Sequence, residues 1–269
     1  MPYDEFIPTA KKELHVFYVL DTSGSMTGAP ITALNLAMRE TVAELADISM
    51  NSNDASLKIA VMTFDSDIGW VTRGTNGLED AEDFIWTDLN AGGLTSLGAA
   101  LKELNKKLSR NEMMASTMGN KIPVIIFMSD GYPTDGWTSE LEELKKNKWF
   151  AAATKIAFAL GDDADCDALA KVVGGPEAVI RTNDLVAFRK MIRIVSVAAS
   201  LARSQSATSS DEMDGGSIVS KITGGQSVSG SSVTITDLPD DPYTSIYGGS
   251  GGNSVGFTDP DFAQDSDWL

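Results

Sequence analysis

Two stretches, Leu14-His15-Val16-Phe17-Tyr18-Val19-Leu20 and Ile122-Pro123-Val124-Ile125-Ile126-Phe127-Met128, are nearly continuous in apolar residues and have the length of one strand. A strand with one wet face alternates apolar and polar side chains. A run that is apolar throughout is covered on both faces, as in the middle of a parallel sheet. Parallel neighbours need a crossover, and helical spacing supplies one after the first run: Ile31, Leu34, Met38, Val42, Leu45 and Ile48 recur on one face, with Pro30 suited to the first helical position. Asn51-Ser52-Asn53-Asp54 ends that helix, and Leu57 to Phe64 reads as the next strand. The result is a β-α-β unit.

The alternation continues. Asp65-Ser66-Asp67 is a tight polar turn, after which Ile68 to Val71 reads as a short strand hairpinned antiparallel onto a sheet edge. Residues 73 to 90 are mostly loop, with a short helix or strand near Phe84 to Trp86. Gly92-Gly93-Leu94-Thr95-Ser96 turns into a helix carrying Leu97, Ala100, Leu101, Leu104 and Leu108. Pro123 is tolerable in the central strand because it stands at its start. Ser139 and Glu142 form a capping box for a helix with Leu141 and Leu144. Lys155 to Leu160 is a strand, Leu169 and Val172 mark a short helix, Ala178 to Ile180 is a last strand and Leu185 to Leu201 a last helix. This order predicts an α/β fold of Rossmann-like, doubly wound type, with a mostly parallel central sheet, one antiparallel edge strand and helices on both faces.

Three segments follow from composition: an N-terminal extension over 1–13, a folded domain over 14–203 and a tail over 204–269. The tail is rich in Ser, Gly and Asp and shows no helical period. It holds ten acids against Lys221 alone, a net −9 of the chain's −17. So polar a segment buries too little apolar area to offset an ordering cost of about 1–2 kcal/mol per residue, and disorder is expected.

The charge also narrows function. With 21 basic and 38 acidic residues and no basic patch, nucleic acid and anionic membrane are excluded as partners. Cys166 is the only cysteine and lies among Asp162, Asp163, Asp165 and Asp167, which disfavour a thiolate. His15, the only histidine, falls within the first strand and reads as a packed residue, leaving no base for a Ser-His-Asp triad. The apolar runs are strand-sized, and Met1 to Lys12 has no signal-peptide core, so a cytoplasmic protein is expected.

Chemistry gathers in Asp21-Thr22-Ser23-Gly24-Ser25-Met26, at the mouth of the first strand. A carboxylate and two hydroxyls spaced two apart can turn toward one point and offer hard oxygens to Mg²⁺. Taken alone, a serine-rich turn whose side chains cap a helix is an equal alternative. In a parallel α/β sheet, however, the loops at the carboxyl ends of the strands share one edge. Thr95 and Asp130 belong to that edge, giving two carboxylates and three hydroxyls.

Asp21-x-Ser23-x-Ser25, Thr95-x-Leu97-x-x-Ala100-Leu101 and Ser129-Asp130-Gly131 resemble the three parts of the metal-ion-dependent adhesion site of von Willebrand factor A (VWA) domains. The resemblance covers about 14 to 203. It implies Asp21, Ser23, Ser25, Thr95 and Asp130 as ligands of Mg²⁺, with Mn²⁺ or Ca²⁺ as other candidates. It also implies a protein partner whose Asp or Glu completes the shell, so that the metal bridges rather than catalyses. Asp130-Gly131-Tyr132-Pro133-Thr134-Asp135-Gly136-Trp137, with the Cys166 region and the end of the last helix, looks like the bacterial TerY-like branch associated with tellurium resistance. That likeness implies Ser/Thr kinase and PP2C-type phosphatase partners in signalling or stress response; the acidic tail departs from the branch.

Asp135 has two readings, a turn residue bonding backbone amides, which is favoured, or a partner-selecting rim residue, and Trp137 is the corresponding candidate for a contact residue. An Asp after a first strand also resembles a haloacid-dehalogenase-type phosphatase, but the second Asp needed two residues on is Ser23. The tail offers kinase-substrate sites, or a carboxylate from Asp259, Asp261, Asp265 or Asp267 that occupies the chain's own metal site.

Overall fold

The computed structural model describes residues 11–205 and 214–223. The elements are β1 (Lys12–Asp21), α1 (Ala29–Asn51), β2 (Ala55–Phe64), β3 (Ile68–Trp70), β4 (Glu79–Asp80), α2 (Leu97–Lys107), β5 (Val124–Ser129), α3 (Thr138–Lys145), α4 (Lys148–Ala152), β6 (Thr154–Leu160), α5 (Cys166–Val173), β7 (Val179–Thr182), α6 (Leu185–Gln205) and α7 (Gly215–Ile222). One sheet runs in the order β3-β2-β1-β5-β6-β7. β2, β1, β5, β6 and β7 are mutually parallel, while β3 and the two-residue β4 both lie antiparallel on β2. β1 and β5 are at the centre, where the two apolar runs placed them.

Alternation along β1 divides the core. Leu14, Val16, Tyr18 and Leu20 face one apolar cluster with residues of α1, α6 and α7; Phe17 and Val19 face the other, with residues of α2, α3 and α5. Neither face of β1 is wet, which is why its sequence is apolar at nearly every step. His15 is fully buried, edge-on to Phe17 at 6.2 Å, with Nε2 3.1 Å from Glu13 and Nδ1 3.2 Å from the Met114 sulfur. It is the packed residue its position suggested. Cys166 is half-buried, and burial first, then Asp165 and Asp167, push its thiol above the usual range against the pull of Arg181.

Three expectations are corrected. Ser139 and Glu142 form no capping box: Trp137 is already helical at φ −98°, ψ −18°, no side chain caps the helix, and Ser139 lies inside it. Phe84 to Trp86 is neither strand nor helix, and the strand in this region is β4. Phe84 and Trp86 are instead a buried plug, perpendicular at 6.4 Å. Asn35 on α1 holds it, accepting from Trp86 Nε1 at 3.3 Å and Leu89 N at 2.8 Å and donating to the Leu89 carbonyl at 3.0 Å.

The third correction is to the reading of Leu185 to Leu201 as the last helix, because 215–222 is helical as well. Asp214 caps α7 by accepting from Ser217 N at 2.7 Å, and Ile218, Val219 and Ile222 are buried on one face. Gly215 is required there, since a Cβ would lie 1.8 Å from the Lys155 carbonyl oxygen. Three apolar positions in one turn and a half carry too little pattern to stand out from a polar background. The tail carboxylates Asp259, Asp261, Asp265 and Asp267 lie outside the described residues. Among those residues, no helix is long and apolar enough to cross a membrane.

Candidate metal centre

β1 ends at Asp21 beside the end of β5, because Leu20 and Met128 are paired in register. The next residues are held by backbone bonds rather than by regular structure. Thr22 N donates to the Phe64 carbonyl at 2.9 Å and Gly24 N to the Gly93 carbonyl at 3.0 Å, while Gly92 N donates to the Thr22 carbonyl at 2.8 Å. Met26, fully buried, anchors the short 3-10 turn Gly24–Met26. Loop 92–96 is tied to the loop after β5 by Thr134 N to the Thr95 carbonyl at 2.9 Å and Thr95 N to Thr134 Oγ1 at 3.2 Å. Three segments distant in sequence thus become one surface.

Their side chains converge. Ser129 Oγ donates to Asp21 Oδ2 at 2.6 Å, Ser23 N donates to Asp21 Oδ1 at 2.9 Å, and Ser25 Oγ donates to Asp130 Oδ1 at 2.7 Å. The Ser23 and Ser25 hydroxyls are 3.1 Å apart. Gly131 marks where Thr95 joins them: a Cβ there would stand 3.6 Å from Ser25 Oγ and 4.0 Å from Thr95 Oγ1. The structure therefore brings together all of Asp21, Ser23, Ser25, Thr95 and Asp130. The helix-cap alternative fails, since Ser23 makes no side-chain cap bond at the 3-10 turn and the residue that precedes α1 is Gly28, which has no side chain to cap it.

Electrostatics favour a cation between the two acids. Burial raises the Asp21 carboxyl above the usual carboxylate range, Ser129 and Ser23 oppose the shift by hydrogen bonding, and Asp65 adds repulsion. Burial likewise raises Asp130, opposed by Ser25 and reinforced by repulsion from Asp21 and Asp163. Two acids crowded with three hydroxyls suit a hard divalent cation, which neutralises the first and is solvated by the second. Among the described residues no group of three or more His, Cys, Asp or Glu is placed to hold a metal, so the hydroxyls are indispensable to any such site.

The Asp135 carboxylate is engaged by backbone amides. It accepts from Gly98 N at 2.9 Å and Ala99 N at 3.0 Å, the free amides at the start of α2. It bonds backbone amides, as the favoured reading had it, but those of another element rather than of its own turn. Trp137 is half-buried against the α2–α3 side of the core, with Lys171 Nζ 5.8 Å from its ring centre. Replacing Asp135 with Ala should lower the unfolding free energy by about 1 kcal/mol, the usual worth of a helix cap, with metal affinity unchanged. Chemical denaturation and metal titration of the same variant separate capping from a rim role. Ser129, quoted in a motif but given no role, orients Asp21; only register with β1 reveals it.

The von Willebrand factor type A domain profile matches residues 15–193. A curated relative, human inter-alpha-trypsin inhibitor heavy chain H6, is 26% identical over 168 residues, which is 57% of this chain and 12% of that protein. Among solved structures, a von Willebrand factor type A protein from Catenulispora acidiphila aligns over 70% of this chain and 42% of its own, with TM-score 0.54 and 16% identity. Proximal thread matrix protein 1 from the mussel byssus, in a structure with a zinc-occupied MIDAS motif, aligns over 70% of this chain and 48% of its own, with TM-score 0.51 and 20% identity. The chain thus spans less than half the length of each of these relatives. These likenesses show the fold, and the matched profile covers more than half of the sequence. The chain belongs to the von Willebrand factor type A domain family.

Proposed function

We propose that the protein is a metal-dependent interaction module, holding a divalent cation with Asp21, Ser23, Ser25, Thr95 and Asp130 and binding a partner through an Asp or Glu that completes the shell. The observation that carries this reading is the convergence of two buried acids of raised pKa with three hydroxyls at the carboxyl edge of the sheet. An all-oxygen set of this size suits Mg²⁺, with Mn²⁺ and Ca²⁺ as competitors, and the zinc-occupied MIDAS of the byssus protein supports a cation in this fold. When bound, the ion supplies a Lewis-acidic position for a carboxylate. The chain's own residues hold that position: Ser129 and the Ser23 amide orient Asp21, and Ser25 orients Asp130.

Interaction is favoured over catalysis by the same geometry. A phosphatase nucleophile needs a reachable oxygen, whereas Asp21 is fully buried with a hydrogen bond to each oxygen. His15 stands six residues back along β1, roughly 20 Å away at about 3.3 Å per residue. Placement in the TerY-like branch, with kinase and PP2C-type phosphatase partners, is supported by the residues from Asp130 to Trp137.

The test is thermal unfolding with and without Mg²⁺ across pH. A carboxyl whose pKa is higher folded than unfolded binds more protons in the fold, so its contribution to stability is present at low pH and is lost as pH rises through the folded value. Asp21 and Asp130 therefore weaken the ion-free protein as pH climbs out of the ordinary carboxylate range near ~4 and through their raised folded values. Mg²⁺ needs them ionised, so its stabilisation should grow over that interval, reaching about 2.7 kcal/mol at a hundredfold excess over Kd. A Mg²⁺ effect absent at pH 7, or one that does not shrink as the acids are protonated at low pH, contradicts the assignment.

A further inference from the structure

A cleft of about 390 Å³ includes Ser25 and Asp130 of the metal site in its lining. Pro30, Leu160 and Leu185 contribute apolar lining, and Tyr132, which lines it too, is 64% exposed. Two further carboxylates line it, and they differ. Asp162 is neutralised, 2.9 Å from Arg181 Nη2 and accepting from Asn183 Nδ2 at 2.7 Å. Asp163 is exposed and has no hydrogen-bond or ion-pair partner among the described residues. Apolar walls leading to one uncompensated carboxylate match a long basic side chain, whose methylenes cover the walls while the charged head reaches the acid. Tyr132 adds an aromatic side chain to the same lining, a favourable neighbour for a cation.

Building on the metal-bridged reading above, we propose that the cleft reads a Lys or Arg lying within a few residues of the partner's metal-binding Asp or Glu. The partner segment is then a short zwitterionic motif: its acid binds the ion, and its base lies along Pro30, Leu160 and Leu185 against Asp163. An acidic residue alone meets half of the site. The arrangement also opposes stretches of consecutive acids, which would bring a second carboxylate against Asp163.

The experiment uses the full chain in Mg²⁺ and blocked synthetic peptides with one Asp followed, at one to three positions, by Lys, norleucine or Glu, read by calorimetry or NMR titration. Norleucine keeps the stem and drops the charge. The Lys peptide in the best register should bind about fivefold more tightly than its norleucine counterpart, the upper worth of a solvent-exposed pair, and the Glu peptide should bind most weakly. In Asp163→Asn the Lys and norleucine peptides should bind equally. In Asp167→Asn, which removes an exposed charge of the same segment that does not line the cleft, the Lys preference should persist. Mg²⁺-dependent binding without a Lys preference, or a preference lost equally in Asp167→Asn, overturns the cleft assignment and leaves the metal-bridge reading standing. Failure of every peptide to bind in a Mg²⁺-dependent way overturns both.

Discussion

Asp21→Ala should lower Mg²⁺ affinity by at least about 100-fold and abolish Mg²⁺-dependent capture of a partner. Losing an outer-shell group already costs 10- to 100-fold in metal sites, and Asp21 would be a principal charge of this one. The fold should survive. In the ion-free protein the Asp21 carboxylate is a buried charge opposed by burial and by Asp65, so deleting it relieves repulsion while leaving Ser129 Oγ and Ser23 N without their acceptor. These effects oppose each other, and ion-free stability at neutral pH should shift by no more than about 1–2 kcal/mol. Calorimetric Mg²⁺ titration with denaturant unfolding checks the pair of statements, and capture in Mg²⁺ against chelator checks the partner. Wild-type capture by this variant in chelator would end the metal-bridge reading.

Val219→Asp is expected to have the largest effect on stability. Val219 is fully buried, and Ile218 and Ile222 beside it are 5% and 4% exposed, in a helix resting on β6 and the 3-10 turn before β7. An unpaired carboxylate there costs on the order of 3 kcal/mol or more if the helix stays docked. Undocking α7 is the escape route, and the loss cannot exceed what docking contributes. Comparing Val219→Asp with a chain ending at 205 therefore measures that contribution: equal losses show that the substitution undocks the helix. No loss in either perturbed protein would mean that α7 adds nothing to the domain.

The parts of this fold legible in the sequence are those with local or periodic signatures. Runs such as Leu14 to Leu20 announce strands covered on both faces, and the α1 face from Ile31 to Ile48 announces its crossover. The candidate ligands could be listed because Asp21, Thr95 and Asp130 stand where loops leave or approach the carboxyl ends of parallel strands, which share an edge by topology. What was hidden depends on contacts between elements. Asp135 caps α2 from 36 and 37 residues away, so no S-x-x-E spacing reveals it. Ser129 acquires its role across 108 residues. Phe84 and Trp86 fill a space that only Asn35 and the loop to Leu89 define, and the apolar face of α7 gains meaning only against β6.

The sequence distance between the ligands has a kinetic consequence. Ser25 and Asp130 meet across 105 residues, and their loops face each other only after β1 and β5 have paired in register. An unfolded or half-assembled chain presents these oxygens at unrelated places, so the cation has almost nothing to bind until the central strands are joined. Binding that appears so late leaves the folding rate nearly untouched and retards unfolding instead. The ion would act as a latch on a finished topology rather than as a seed for it, and the lifetime of the native state would then be set by how much divalent cation surrounds the protein.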